Sequence, residues 1–148
     1  MTAWLLALLA LLGGAALAVQ TGVNAQLRVG LGHPVAAALC NVLVGLSALL
    51  LYALLLRVPV PSTTRLSHVA WWQWTGGVLG AAYLVVIIVL APKLGAATLV
   101  SLIVAGQLFT ALLLDHYGLL GFPLRQLSAP RVAGALLLIA GVVLIRRS

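Results

Sequence analysis

Acidic side chains are almost absent. Asp115 is the only carboxylate among 148 residues, and there is no glutamate. A chain with one carboxylate has no carboxylate pair for acid and base work. The single cysteine, Cys40, excludes an intrachain disulfide, a CxxC motif and a Cys/His metal cluster. It reads as a small packing residue, and neither a metal nor a cofactor is expected. No nucleophile stands beside a base and no glycine loop is suited to phosphate, so an enzyme would have to work with one Asp and three His. The chain is therefore read as a non-enzyme.

Charge of any kind is scarce, at 6% of residues, while 64% are hydrophobic, and this balance excludes a water-soluble fold. The formal charge of +7 resembles a nucleic-acid signature until the eight Lys and Arg are placed. They stand singly or in pairs between apolar runs and form no basic face. They read as headgroup anchors; the expected partner is a lipid bilayer, not a nucleic acid.

What remains is a succession of long apolar runs. About 20 apolar residues cross a hydrocarbon core of about 30 Å. On that measure, residues 1–148 form a single transmembrane domain with helices over approximately 3–27, 34–56, 71–91, 94–115 and 130–146. Ala16-Leu17-Ala18 resembles a signal-peptide cleavage site, but no Lys or Arg precedes it and four more spans follow, so the first run reads as a helix. Pro34 suits a first helical turn. Trp71, Trp72 and Trp74 mark an interface at the start of the third span, and Pro92 marks its end. The apolar run of the fifth, 132–145 between Arg131 and Arg146, is short and needs snorkelling arginines or a thinned bilayer. Backbone groups in lipid need partners within their own segment, and the two-residue alternation of a barrel strand is missing, so the fold class is an all-α integral membrane protein of five transmembrane helices.

Five spans put Arg57, Arg65, Arg125 and Arg131 on one side and Arg28, Lys93, Arg146 and Arg147 on the other. Such a balance gives the positive-inside rule nothing to act on. The expectation is a chain that inserts both ways and pairs with an inverted copy, an antiparallel homodimer of ten helices. Transporters are commonly built from inverted repeats, and a five-helix unit can supply its own. The function read from this is a secondary transporter moving a small polar or cationic solute by alternating access. The alternative is a non-transporting scaffold, or a subunit of a hetero-oligomeric membrane complex.

Polar groups inside spans are costly and mark sites by default. Gln20 and Asn24 are four apart and share a helix face, placed either to bind solute or to bond another helix. Asn41, Gln107 and Thr110 add amides and a hydroxyl to the candidate pathway, and Trp72 and Tyr83 add faces suited to a cation. Asp115 beside His116 is a candidate for proton coupling, or else an anchor that pairs with an arginine. Gly76, Gly77 and Gly80 contain a GxxxG spacing that suits close helix packing.

The segments Gln20-Thr21-Gly22-Val23-Asn24, Gly32-His33-Pro34, Trp72-Gln73-Trp74-Thr75-Gly76-Gly77-Val78-Leu79-Gly80, Lys93-Leu94-Gly95-Ala96-Ala97-Thr98, Ala105-Gly106-Gln107 and Asp115-His116-Tyr117-Gly118 occur in that order. In this the chain resembles the YdcZ-like family of small five-helix bacterial membrane proteins, grouped with the drug/metabolite transporter superfamily. The resemblance implies a multi-pass protein of the bacterial inner membrane. It also implies kinship with ten-helix carriers of two inverted halves and with small multidrug resistance proteins that pair antiparallel. Those smallest relatives use a glutamate in the first helix to bind protons and cations; this chain has none, so their coupling mechanism does not carry over.

Overall fold

The computed structural model describes residues 2–147. Among these the chain is helical with no strand: α1 (Ala3–Leu31), α2 (Pro34–Leu55), a short α3 (Thr63–Ser67), α4 (Thr75–Leu94), α5 (Ala96–Tyr117) and α6 (Ala129–Arg147). Five stretches are long and apolar enough to cross a membrane, Trp71–Leu94 counting as one.

Helix boundaries follow local chemistry, and several differ from the sequence expectation. α1 continues through the polar stretch Gln20–Arg28 to Leu31. It stops where Gly32 takes φ +74° and donates its N–H to the Arg28 carbonyl at 2.9 Å, a left-handed cap that only glycine adopts without strain. Its 29 residues span about 43 Å, more than the hydrocarbon core. His33 caps α2, its Nδ1 accepting from the Val35 N–H at 3.2 Å, and Pro34 occupies the first turn.

The segment between α2 and α4, expected as loop, holds α3, capped by Ser62 accepting from the Arg65 N–H. Trp71–Trp74 form a 3-10 turn, which the Gln73 side chain closes by accepting the Ala70 N–H at 2.8 Å. α4 then runs through Pro92 instead of ending before it. One residue, Gly95, separates α4 from α5. α6 begins at Ala129 with Pro130 and Arg131 inside its first turn, so it reaches 19 residues, about 28 Å, and is longer than its apolar run.

The chain divides into two compact units, Met1–Lys93 and Leu94–Ser148. In the first, α1 and α2 pack side by side. The buried positions are Thr21 and Asn24 on α1, Ala37 and Ala38 on α2, and Leu84, Ile87 and Ile88 on α4. Ala37 and Ala38 lack bulk, so helices come close, which is how membrane helices gain packing when lipid offers no hydrophobic drive. Leu84, Ile87 and Ile88 fall at i, i+3 and i+4 and give α4 one inward face. Beside them an apolar groove of about 180 Å³ runs between α2 and α4, lined by Val35, Leu39, Val42, Ala81 and Val85. In the second unit α5 packs along α6 and buries Leu99 and Val142.

Lys and Arg side chains all fall in helix end turns, in α3 or in connections: Arg28, Lys93, Arg146 and Arg147 in last turns, Arg65 in α3, Arg131 in a first turn, and Arg57 and Arg125 between helices. The spans themselves are therefore nearly free of charge.

Candidate functional site

Two polar clusters interrupt the apolar surface, one in each unit. The first lies on α1. Thr21, Asn24 and Arg28 recur at i, i+3 and i+7 and so occupy one stripe of the helix. The Thr21 hydroxyl donates to the Leu17 carbonyl at 2.9 Å, satisfying itself within its own helix.

Arg28 reaches across to α4, where its Nη1 donates to the Ile88 carbonyl at 3.3 Å. The reason lies four residues along. In an α-helix the N–H of residue 92 would bond the carbonyl of residue 88, but Pro92 has no N–H. Ile88 is fully buried, so water cannot replace the missing donor. The guanidinium of Arg28 supplies it where α4 passes through its proline.

Asn24, one turn before Arg28, is 2% exposed, and its Nδ2 has no hydrogen-bond partner among the described residues. An unsatisfied buried donor costs about 1–3 kcal/mol. It is the only buried side-chain nitrogen or oxygen among those residues left in this condition.

The second cluster closes the α5–α6 hairpin. Arg131 Nη2 meets Asp115 Oδ2 at 2.7 Å, with side chains 29% and 23% exposed. Arg131 Nη1 also donates to the Arg125 carbonyl at 3.1 Å, and the Arg125 N–H donates to the Asp115 carbonyl at 2.7 Å. The Leu127 N–H donates to His116 Nδ1 at 3.2 Å, which makes that nitrogen an acceptor. The His116 ring stacks edge-on against Tyr117 at 4.7 Å between centroids. A cleft of about 380 Å³ between α5 and α6 counts both members of the ion pair in its lining, with Leu108, Leu112, Gly134 and Leu138.

The remaining sequence candidates are scattered. Gln20 shares the face of Asn24 but is exposed, and Asn41 on α2 is half-buried. Gln107 and Thr110 on α5 are exposed, as are Trp72 and Tyr83. Gly76, Gly77 and Gly80 are exposed, and a Cβ added at any of them would meet nothing within 4 Å, so the chain does not itself fill their face. Asp115 is paired with Arg131, and His116 accepts from the Leu127 N–H of the loop.

Sequence reasoning missed Arg28, Thr21 and Arg131. Arg28 reads as a headgroup anchor until Pro92 is seen to orphan the Ile88 carbonyl, and the i, i+4 spacing of Asn24 and Arg28 was the available signal.

The family described as "Putative inner membrane exporter, YdcZ" matches residues 5–144. "Inner membrane protein YdcZ" of Escherichia coli (strain K12) is 40% identical over 81 residues, which are 55% of this chain and 54% of that protein. The chain thus matches about half the length of that relative. No solved structure matches. The family match runs from the first apolar helix into the last, and with five such helices the chain is a multi-pass protein of the inner membrane that belongs to the YdcZ family.

Proposed function

We propose that the chain is half of a secondary carrier, in which two copies inserted in opposite directions form a ten-helix homodimer that moves a small polar solute by alternating access. The observation that carries this is Asn24, a buried amide at membrane depth whose donor is left unpartnered at a cost to stability. Such a group suits a ligand that comes and goes. The description of the family as an exporter supports outward movement. Four basic residues against four, over an odd number of spans, support the inverted pair.

Asn24 is placed at the centre of the solute path, with Asn41 in the same unit. Gln20, Trp72 and Tyr83 are exposed groups of that unit available to line it, and Gln107 and Thr110 are exposed groups of the other unit available to meet a second copy. Gly76, Gly77 and Gly80 offer a bare face to that copy. Asp115 and His116 are assigned to holding the α5–α6 loop rather than to proton exchange. A cationic solute is the weaker form of the reading, because the one carboxylate able to hold a cation is bonded to Arg131.

Two measurements test this. Reporters fused at the carboxyl terminus, one active only inside the membrane and one only outside, are both expected to give signal from the same chain. Signal from one alone overturns the inverted pair. The purified chain reconstituted by itself in liposomes is expected to carry solute; the rival reading, a subunit without transport, predicts no flux for any metabolite in a broad panel.

A further inference from the structure

We infer that the buried stripe of α1 is an oxyanion site, in which Asn24 and Arg28 together bind a carboxylate or phosphate group. This rests on the carrier reading for its purpose, but its chemistry follows from the donors alone. Asn24, a residue 2% exposed, brings two N–H bonds on a buried, unpartnered Nδ2. Arg28 brings five, of which the structure uses one on the Ile88 carbonyl. Thr21 has already given its only proton to Leu17. The unspent capacity of the stripe is therefore mostly donor capacity, backed by a positive charge.

The unit Met1–Lys93 contains no Asp or Glu, so Arg28 has no carboxylate partner within it. Arg28 sits in the last turn of α1, whose dipole offsets the equivalent of about half a charge. The rest calls for an anion. A planar guanidinium fork takes a carboxylate or phosphate bidentately, and an amide N–H one turn away adds a further bond to the same group. The guanidinium is also half-buried and turned onto α4, rather than extended towards headgroups as a snorkelling arginine would be.

The oxyanion can come from a solute or from a lipid headgroup, and thermal melting of the purified full-length chain in uncharged detergent distinguishes them. Sodium acetate and sodium phosphate are compared with sodium chloride and tetramethylammonium chloride at equal ionic strength, and dioleoylphosphatidylglycerol is added in a separate arm. The expected result is a saturable rise in melting temperature with acetate or phosphate and none with tetramethylammonium. Asn24→Asp keeps the side-chain shape but adds negative charge, and is expected to weaken the effect about tenfold or more. So is Arg28→Gln combined with Pro92→Ala, which removes the charge while returning a backbone donor to Ile88. A rise seen only with the phosphatidylglycerol, and lost in both variants, keeps the site and assigns it to lipid. A rise of equal size in wild type and variants, a rise with the cation alone, or no rise with any anion overturns the inference. Liposome flux separates this from the carrier reading: tetramethylammonium flux without anion binding leaves the carrier and removes the site. Anion binding without any flux does the reverse.

Discussion

Asp115→Ala is expected to destabilise the α5–α6 hairpin by about 1–3 kcal/mol, the range for leaving a hydrogen-bonded charge without its partner. A fully buried pair would lose more, about 3–5 kcal/mol, and an exposed one about 0–1. Side chains 29% and 23% exposed place this pair between those limits. The cost should exceed that of a typical surface pair because Arg131 also holds the Arg125 carbonyl, so freeing its guanidinium loosens the loop as well. In an Asp115→Ala/Arg131→Ala cycle, thermal melting should show the double variant losing less than the sum of the singles. Additive losses would mean that the 2.7 Å contact is energetically idle.

Arg28→Ala is expected to cost a similar amount, about 1–3 kcal/mol, through one buried carbonyl. The informative comparison is with Pro92→Ala. Restoring the backbone N–H at residue 92 gives Ile88 an intrahelical donor, so most of the penalty of Arg28→Ala should vanish in that background. If Arg28 were only a headgroup anchor, its removal would cost the same with proline or alanine at 92. Denaturant or thermal melting of the four chains measures the difference.

The spans were legible because crossing lipid needs about 20 apolar residues, and the sequence provides four such runs and a shorter fifth between arginines. Their ends were less so. Gln20 to Arg28 look like an exit into water, yet the backbone ladder tolerates polar side chains and α1 ends only at Gly32. Pro92 looks like a stop, because it removes the N–H that the Ile88 carbonyl would use, yet α4 continues to Leu94. The donor that compensates for it is Arg28, 60 residues from the Ile88 carbonyl that it serves, where no window along the chain can see it. The same limit applied to the sites. Spacing placed Gln20 and Asn24 on one face, but which of them is covered depends on where α2 and α4 pack, and only Asn24 is buried. One Asp among eight basic residues made an ion pair easy to foresee; the choice of Arg131 depended on the turn between α5 and α6.

The central claim is that Asn24 is kept unsatisfied for a solute, and the initial rate of uptake into liposomes by the Asn24→Leu variant tests it most directly. Leucine shares the branched shape of asparagine and removes the unpaired donor. The variant should therefore melt no lower than wild type, gaining up to about 1–3 kcal/mol, while flux falls to background. Across a panel of neutral, anionic and cationic metabolites, wild type should carry at least one and the variant none. An Asn24→Leu chain that carries solute at the wild-type rate would contradict the claim.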